Sequence, residues 1–442
     1  MKPARQLRLP FPPGPPAPRE RSGLEQDLMA FREFDRKTAQ DVAEFWPEAG
    51  APVDVPVYVN EFWTSRQRAA HSLHEVSYRA CFKPQLPRFF ITRLTAPGER
   101  VYDPFMGRGT TLLEAALLGR KASGCDASPL SGVLAAPRLA PPAQEDVARR
   151  LQEIPLEAGG EGPEDLLAFY HPDTLGGICA LRSYLLAREK SGTLDAVDAW
   201  IRMVALNRLT GHSPGFLSVY TLPPNQAVSA QAQRKINLQR GQTPPRRDLR
   251  KILLKKSAAL LKDCDEAARA ALRRAAPVLL TGDAASTPGI RPGSVRLVVT
   301  SPPFLDVVDY AADNWLRCWF LGVDPDAIHI SLLRKLPDWQ AKMTEVFREL
   351  RRVLAPGGHV AFEVGEVRGG KIRLEDAVVP AALRAGLEPV LILINSQKFT
   401  KTANCWGVDN NRKGTNTNRV VLLRKPSART GPPRAPAVSS SP

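Results

Sequence analysis

The chain has 442 residues, a formal net charge of +16 and 43% apolar residues, a composition typical of a globular protein. Its length allows one large core with insertions, or two to three domains. It contains neither a run of about eighteen apolar residues nor a secretory signal pattern, so we expect a cytoplasmic protein without a membrane span. The excess of basic residues favours a polyanionic partner such as nucleic acid.

The six cysteines are scattered, with no CxxC pair and no close His partner. This spacing argues against a zinc site and against a disulfide framework, and we expect no metal. Residues 1–20 and 426–442 are rich in Pro and lack apolar periodicity, so we expect both tails to be disordered. Between the tails, strand-like runs alternate with amphipathic helices in two blocks, roughly residues 78–135 and 277–425.

The first block contains the stretch ERVYDPFMGRGTTLLEAALLGRKASGCDASPL. It predicts a short strand, a loop with Gly107 and Gly109, a helix that ends at Gly119, and a second strand that ends at Asp126. The glycines allow a ligand to approach the backbone, and an acidic residue after the second strand can accept hydrogen bonds from ribose hydroxyls. The glycine pair alone also fits an ordinary tight turn. Its combination with Asp103 and Asp126 favours a nucleoside cofactor.

The second block begins with VLLTGDAASTPGIRPGSVRLVVTSPPF, in which two strand-like runs bracket a loop. Asp283 follows the first run, where the carboxyl-end loops of a parallel sheet bind ligands, although a plain turn aspartate would look the same. The second run stops at Ser301, Pro302, Pro303 and Phe304, and neither proline can donate to a sheet ladder. A rigid loop of this kind presents groups to a ligand. Further on, DWQAKMTEVFRELRRVL has one apolar helical face, which predicts core scaffolding.

Five segments in this order, DPFMGRGTT, GCDASP, TGDA, TSPPF and RVLAPGG, resemble the motif set of amino-directed DNA methyltransferases, which methylate cytosine N4 or adenine N6. The upstream FKPQLPRFFI is similar to the family's Lys-Pro segment, and NRKGTNTNRVVLLRK is similar to its closing hairpin. The resemblance covers about residues 82–130 and 280–425. The chain departs from the usual pattern at Phe304, where the family most often has Tyr.

The resemblance implies an α/β fold, a Rossmann-like class I methyltransferase core with a mixed, mostly parallel sheet and a mainly helical insert. It also implies S-adenosylmethionine as the cofactor. The residues that would hold this cofactor are Lys83, Asp103, Phe105, Gly107 and Gly109 at the methionine part, Asp126 at the ribose and Asp283 at the adenine. A surface lysine is an equally good interpretation of Lys83.

The chemistry of an exocyclic amino group explains the Ser-Pro-Pro-Phe segment. Such a nitrogen is a poor nucleophile because its lone pair is delocalised, and fixed acceptors at its hydrogens let it become more tetrahedral. The Ser301 side chain and the Pro302 carbonyl would be these acceptors, and Phe304 would stack on a base taken out of the duplex. A cytosine C5 enzyme would need a cysteine nucleophile, usually in a Pro-Cys pair, which this chain lacks. Serine at the first position favours cytosine N4 by family analogy and leaves adenine N6 open.

The insert between the two blocks holds a basic run, with nine basic residues and one acidic residue from Arg234 to Lys256. Such a run can neutralise phosphates along a duplex, although a solvated helix face has the same composition. Related enzymes place target-recognition elements between these two motifs. The candidate backbone contacts are Arg246, Arg247, Arg250 and Lys251.

We therefore expect an N-terminal extension over residues 1–60, a methyltransferase core over 61–139 and 276–425, a target-recognition insert over 140–275 and a tail over 426–442. The expected function is site-specific methylation of a base amino group in double-stranded DNA, in DNA modification or restriction-modification with a separately encoded endonuclease. Two alternatives stay open. One is an RNA base methyltransferase acting on tRNA or rRNA, and the other is a catalytically silent, cofactor-sensing nucleic-acid-binding protein.

Overall fold

The computed structural model describes residues 22–46, 51–63, 70–78, 81–158, 160, 162–221, 227–304, 310–328, 333–367, 372–396 and 417–427. The two tails predicted to be disordered lie outside these ranges except for residues 426 and 427. Residues 411–416 of the predicted closing hairpin also lie outside them.

The described strands form one nine-stranded sheet and a separate short hairpin. The sheet consists of β1 (Ala39–Phe45), β2 (Val53–Asn60), β3 (Arg100–Asp103), β4 (Lys121–Asp126), β5 (Val278–Thr281), β6 (Val295–Thr300), β7 (Leu354–Val364), β10 (Glu388–Ser396) and β11 (Thr417–Arg424), with β8 (Glu366–Val367) and β9 (Ile372–Arg373) forming the hairpin. The strand order in the sheet is β1-β2-β10-β11-β7-β6-β3-β4-β5.

Five adjacent strands of the sheet run parallel to one another, in the order β5, β4, β3, β6 and β7. Strand β11 runs antiparallel to both β7 and β10. Because the first four of the parallel strands point the same way, the residues that follow them gather at one edge of the sheet. The predicted α/β, Rossmann-like class I methyltransferase core with a mixed, mostly parallel sheet is confirmed. Both of its sequence blocks contribute strands to the same sheet.

Helices cover both faces of the sheet, so its central strands are apolar on both sides. Successive residues of a strand point to opposite faces, as shown by Val101, which packs in one hydrophobic cluster, and Tyr102, which packs in the other. The first face is covered by α2 (Gln85–Leu94) and α3 (Thr110–Leu117), and the second by α12 (Leu336–Val353) and α13 (Glu375–Arg384).

The segment between the two blocks is helical. Its helices are α4 (Pro129–Leu139), α5 (Gln144–Glu153), α6 (Pro172–Lys190), α7 (Ala196–Leu206), α8 (Ala230–Arg240), α9 (Leu249–Leu261) and α10 (Glu266–Arg274). Trp200 of α7 and Leu253 of α9 belong to the same hydrophobic cluster as the residues on the first face of the sheet. The insert therefore shares a core with the sheet. Helix α11 (Tyr310–Leu321) follows the loop after β6.

The N-terminal part differs from the expected extension over residues 1–60. Helix α1 (Gly23–Ala30) packs against the core through Leu28, and β1 and β2 extend the sheet beyond β10. Strand β2 pairs in parallel with β10, a partner more than 300 residues away in the chain. Local sequence patterns do not predict such a pairing, because tertiary packing determines which β-strands pair. Residues 39–60 are part of the sheet.

Candidate active site

A cavity of about 460 Å³ lies at the edge of the sheet where β3, β4, β5 and β6 end. It is lined by residues from both sequence blocks. The predicted site residues that line it are Phe105, Gly107, Asp126, Asp283, Ser301 and Pro303. Residues almost 200 positions apart in the chain thus share one cavity.

The glycine loop after β3 needs both of its glycines. Gly107 has φ +47° and Gly109 has φ +76°, which is backbone that other residues rarely adopt. A Cβ on Gly109 would also lie 2.8 Å from the Cβ of Ala135 in α4. This close approach brings the loop and the start of α3 against α4.

Asp126, the last residue of β4, fixes the glycine loop. Its Oδ2 accepts a hydrogen bond of 2.8 Å from the Gly107 backbone N–H, and its Oδ1 accepts one of 2.9 Å from the Ser128 N–H. Burial raises the pKa of the Asp126 carboxyl, and these two hydrogen bonds oppose the increase. The carboxylate lines the cavity and retains acceptor capacity for hydroxyl groups of a ligand.

Asp103 has a different position from Asp126. It is only 1% exposed and is not among the residues that line the cavity. Its Oδ1 accepts hydrogen bonds from the Thr300 hydroxyl at 2.6 Å and from the Phe105 N–H at 3.1 Å. Burial raises its pKa to about 7, although hydrogen bonds with Thr300, Phe105 and Thr111 oppose this increase. Asp103 therefore joins the glycine loop to the strand that carries Ser301.

Asp283 lies on the cavity wall two residues after β5. Its Oδ2 accepts a hydrogen bond of 2.7 Å from the Lys342 ammonium, and its Oδ1 accepts one of 2.9 Å from the Ala285 N–H. Burial alone would raise its pKa, but these hydrogen bonds and the charge of Lys342 together lower it. Asp283 is thus a paired, ionised side chain at neutral pH.

The loop after β6 is held from two sides. The indole Nε1 of Trp339 donates a hydrogen bond of 2.9 Å to the Pro303 carbonyl. Within the described residues, the carbonyl of buried Pro302 has no donor. The Ser301 side chain, which lines the cavity, lies beside the carboxyl of Glu363 in β7, because Thr300 and Phe362 are partners in the neighbouring strands.

Glu363 is a functional candidate that the sequence analysis missed. It is 7% exposed, and its Oε1 accepts a hydrogen bond of 2.8 Å from the Asn418 amide in β11. Burial raises its pKa, while the hydrogen bond from Asn418 and the neighbouring Ser301 side chain oppose the increase. The only signal in the sequence was an acidic residue inside the apolar run HVAFEV, which is unusual for a central strand buried on both faces.

Phe304 is half-buried, and its ring packs against Gly365, just beyond the end of β7. The Cε2 atom of the ring would lie 3.3 Å from a Cβ at that glycine. Phe304 is not among the residues that line the cavity, whereas the aromatic residues Tyr78, Phe105 and Trp339 are. Stacking of Phe304 on a base stays a prediction.

Lys83 is exposed in the segment before α2 and does not line the cavity. Tyr78, five residues earlier, does line it, and the Tyr78 ring would lie 3.5 Å from a Cβ at Gly107. The guanidinium of Arg108 holds this upstream segment to the glycine loop, with a hydrogen bond of 2.8 Å to the Val76 carbonyl. A role for Lys83 at the cofactor stays a prediction.

Helix α12 is more than the scaffolding predicted for it. Its apolar face is buried, but Trp339, Lys342, Met343 and Val346 also line the cavity. A periodic apolar pattern shows that a helix face is covered without showing whether protein or ligand covers it.

The four basic candidates of the insert lie around the start of α9, and the structure engages two of them internally. Arg250 donates hydrogen bonds to the carbonyls of Leu151 and Ile154 and pairs with Glu157 at 2.5 Å. Arg246 pairs with Asp173 at 3.1 Å, with both side chains more than half exposed. Arg247 is half-buried and Lys251 is exposed. Their contacts with nucleic acid stay a prediction.

Comparison with known proteins shows which family the first block is similar to. Residues 29–130 match the sequence profile of N6 and N4 methyltransferases, described as DNA methylase. This segment is therefore similar to DNA methylases. The match confirms the resemblance to amino-directed DNA methyltransferases and supports S-adenosylmethionine as the cofactor. It ends at residue 130, so the loop from Ser301 to Phe304 is not part of it.

Two curated relatives are similar to part of this chain. The type II methyltransferase M.MjaII of Methanocaldococcus jannaschii is 36% identical over 92 residues, which cover 21% of this chain and 16% of that protein. The type II methyltransferase M.MvaI of Kocuria varians is 31% identical over 100 residues, which cover 22% of each. The chain thus matches less than a quarter of the length of either relative.

Among solved structures, a SAM-dependent methyltransferase from Methanosarcina mazei is 10% identical, with a TM-score of 0.31 over 76% of this chain and 97% of that one. The fold assignment rests on the strand order and directions given above. In the described part of the chain, no helix is both long and apolar enough to cross a membrane, and no group of three or more His, Cys, Asp or Glu side chains has the arrangement of a metal site.

Proposed function

We propose that this protein transfers a methyl group from S-adenosylmethionine to an exocyclic amino group of a base in DNA, with cytosine N4 as the favoured target. The observation that carries the proposal is the cavity itself. The Ser301 loop faces the glycine loop and Asp126 across this single space. A donor held at one side and a target base at the other would meet there.

The residues at the cofactor side fit a nucleoside with an amino-acid tail. The Asp126 carboxylate is positioned for ribose hydroxyls, and the positive φ of Gly107 lets the backbone approach the ligand without a side chain in the way. Phe105 and Val346 supply apolar wall, and Asp283 lies at the same side after the neighbouring strand. The bound cofactor would supply an electrophilic methyl group on a sulfonium.

The residues at the target side fit an amino group with two N–H donors. In our proposal the acceptors are the hydroxyl of Ser301, which lines the cavity, and the carbonyl of Pro302, which has no donor among the described residues and is not itself among the residues that line the cavity. Trp339, through its hydrogen bond to the Pro303 carbonyl, keeps the loop in place. Acceptors fixed in advance need no reorganisation when positive charge develops on the nitrogen, and this favours the transition state.

In our proposal the Ser301 hydroxyl donates its proton toward Glu363, which lies beside it. A hydroxyl has one proton and two lone pairs, and a hydroxyl that donates to the Glu363 carboxylate turns its lone pairs toward other donors. Ser301 would then act as an acceptor for the target amino group. After methyl transfer the nitrogen carries one extra proton, which can pass to the Ser301 oxygen while the hydroxyl proton passes to Glu363.

The substrate class rests on three further features. The match of residues 29–130 to DNA methylase and the descriptions of both relatives as type II methyltransferases favour DNA modification. Ser301 at the first position of the loop favours cytosine N4 over adenine N6. The basic start of α9, with Arg246 and Lys251 exposed, would contact the phosphate backbone of double-stranded DNA. A separately encoded endonuclease completes a restriction-modification role in this proposal.

The test uses purified protein with labelled S-adenosylmethionine and separate pools of unmethylated DNA and RNA. The nucleic acids are digested to nucleosides and analysed by mass spectrometry, with Ser301→Ala as the inactive control. We expect label in N4-methylcytosine from DNA, lost in the variant. Label in N6-methyladenine would keep the enzyme class and change the base.

Two outcomes would overturn the proposal. Label in RNA alone would make the protein an RNA base methyltransferase. Cofactor binding without label in either pool would make it a cofactor-sensing nucleic-acid-binding protein.

A further inference from the structure

A second cavity, of about 380 Å³, lies at the opposite edge of the sheet. Arg100 is the first residue of β3, Lys121 is the first of β4, and Arg296 is the second of β6, and all three line this cavity. Parallel strands rise about 3.3 Å per residue, so strands of this length separate the two edges by roughly 13–20 Å. The cavity is therefore distinct from the candidate active site.

The walls of this cavity are strongly basic. Arg100, Lys121, Arg291 and Arg296 line it, with Glu99 as the acidic residue among the lining side chains. Glu99 is 3.8 Å from the Arg296 guanidinium, and its Oε2 also accepts a hydrogen bond from the Ala96 N–H. In the part of the chain that the structure describes, no carboxylate contacts Arg100, Lys121 or Arg291.

Two of these guanidinium groups are close enough to repel each other. Burial lowers the pKa of Arg100, and the positive charge of Arg291 lowers it further. Arg100 is held in place by a hydrogen bond of 2.6 Å from its guanidinium to the Ser123 hydroxyl. An anion between the two guanidiniums would replace this repulsion with attraction to both.

The positive field extends to the neighbouring strand. His359 near the start of β7 has its pKa lowered to about 4 by burial, and by the charges of Arg296 and Arg424. Elsewhere in the described chain Arg352, for example, forms an ion pair with Glu349 at 2.6 Å. Among the described residues at this edge, Arg100 and Arg291 have no carboxylate partner, and Arg296 has only the more distant Glu99 at 3.8 Å.

We propose that this cavity is a second binding site, for a phosphate group held by Arg100, Arg291 and Arg296. Guanidinium groups form paired hydrogen bonds with phosphate oxygens, and two converging guanidiniums suit a doubly charged group. The cavity volume is at the lower end of the usual range for small-molecule sites, about 300–1,000 Å³, which suits a free phosphate ester or a short stretch of phosphodiester backbone. Lys121 and the Ser294 hydroxyl supply further donors on the rim.

The test is calorimetric titration of the full-length protein with inorganic pyrophosphate, and separately with a five-nucleotide oligothymidylate. We expect one pyrophosphate per chain, and at least a tenfold weaker affinity for Arg291→Ala. Arg348→Ala is the matched control, because Arg348 is an exposed arginine on α12 that does not line the cavity. It removes the same charge and should leave the affinity unchanged. Thermal melting by circular dichroism checks that both variants are folded.

The two probes separate the sources of the phosphate. Tighter binding of the oligothymidylate through Arg291 would identify a DNA strand as the source, and binding of pyrophosphate alone would identify a free phosphate ester. Equal weakening by Arg291→Ala and Arg348→Ala would overturn the proposal, because it would show general attraction to a basic protein. Displacement of pyrophosphate by saturating S-adenosylhomocysteine would also overturn it, since the phosphate would then lie in the other cavity.

Discussion

The hydroxyl of Thr300 donates a hydrogen bond of 2.6 Å to the carboxyl of Asp103. The two residues end neighbouring parallel strands, and each immediately precedes a loop of the candidate active site. One buried hydrogen bond therefore sets the position of the glycine loop relative to the Ser301 loop. Because the acceptor is a buried acid, this link depends on pH.

The raised pKa of Asp103 predicts a pH-dependent stability. Its folded-state pKa of about 7 lies above the unfolded value of 3.8, so the folded state binds more protons between these pH values, and its stability falls as pH rises from about 4 to 7. Asp103→Asn removes this titration while keeping an acceptor for Thr300. One pKa unit corresponds to about 1.4 kcal/mol, so we expect the variant to gain on the order of 2 kcal/mol relative to wild type between pH 5 and pH 8. Urea unfolding at both pH values measures the free energy of unfolding of the variant and of wild type. A difference between them that is the same at pH 5 and pH 8 would contradict the prediction.

Gly109 should be far less replaceable than another glycine with positive φ. Gly109→Ala combines left-handed backbone with a Cβ 2.8 Å from that of Ala135, whereas a Cβ on Gly192, at φ +70°, meets nothing within 4 Å. We expect Gly192→Ala to lower the free energy of unfolding by about 1 kcal/mol and Gly109→Ala by about 2–4 kcal/mol. Adding Ala135→Gly should restore part of the loss in Gly109→Ala. Equal losses in the two single variants would exclude the contact as the cause.

Glu363→Gln tests the proton acceptor behind Ser301. The amide keeps the shape and a hydrogen-bonding group but accepts no proton, so we expect single-turnover methylation to slow by about 100-fold or more, because acid–base assistance typically contributes about 10²- to 10⁴-fold. Cofactor affinity should stay unchanged. Burial raises the pKa of Glu363, so in wild type the rate should fall as the pH drops through that pKa, and the variant should lack this fall.

The charged residues near Glu363 bear on that pH profile. The charged residue of β11 beside Asn418 is Arg419, which forms an ion pair with Glu375 of α13 at 2.5 Å. Within the described residues, neither Arg419 nor Glu375 affects the pKa of Glu363. The double variant Ser301→Ala with Glu363→Gln should methylate no more slowly than Ser301→Ala alone, because we expect Ser301 and Glu363 to act as a unit. Additive losses would assign Glu363 a role independent of Ser301.

Asp126→Asn tests the cofactor side of the cavity. The change removes the negative charge that accepts from the Gly107 N–H and would accept from ribose hydroxyls. We expect S-adenosylhomocysteine affinity to fall by about tenfold or more, since hydrogen bonds to a charged group contribute about 1.5–3 kcal/mol. Glu345→Gln, an exposed carboxylate on α12 outside the cavity, is the control for calorimetric titration. Unchanged affinity in Asp126→Asn would move the ribose elsewhere.

Lys251→Ala should weaken DNA binding at a phosphate. The side chain is exposed at the start of α9, so its loss should reduce the dependence of the logarithm of affinity on the logarithm of salt concentration by roughly one unit. Lys262→Ala at the other end of α9 is the matched control, and filter binding over a salt series is the measurement. A slope that does not change in Lys251→Ala would place the duplex on another surface.

Arg250→Ala should have a different effect from Lys251→Ala. Its guanidinium holds the Leu151 and Ile154 carbonyls at the end of α5, so we expect a lower melting temperature. A variant that melts like wild type but binds DNA less well would show that phosphate contact is its main role.

The sequence alone predicted the local part of the site. The β3–loop–α3–β4 unit follows from residues that act within about ten positions of one another, such as glycines with positive φ, a helix stop at Gly119 and an acid at the strand end. The stop at Ser301 after β6 was equally local, because a proline pair ends a ladder wherever it occurs.

Other features of the site depended on partners far away in the chain. Glu363 meets Ser301 because β7 lies beside β6, and Trp339 meets Pro303 because α12 crosses that edge of the sheet. Sequence periodicity marked α12 as covered on one face and could not distinguish a protein neighbour from a cavity. The pairing of β2 with β10 likewise left no local trace, because the strand pattern is the same whichever partner is chosen.

The sequence by itself determined the glycine loop, the acid at the end of β4 and the rigid Ser-Pro-Pro-Phe segment, because each depends on backbone preferences of neighbouring residues. The fold class followed from the resemblance of its ordered motifs to a known family. Only the tertiary structure decided which side chains face one another. It placed Glu363 behind Ser301, made Asp103 a buried link and gathered Arg100, Arg291 and Arg296 around one cavity at the opposite edge. The physical reason is that burial and charge pairing arise from strand order, and strand order is set by packing between distant segments.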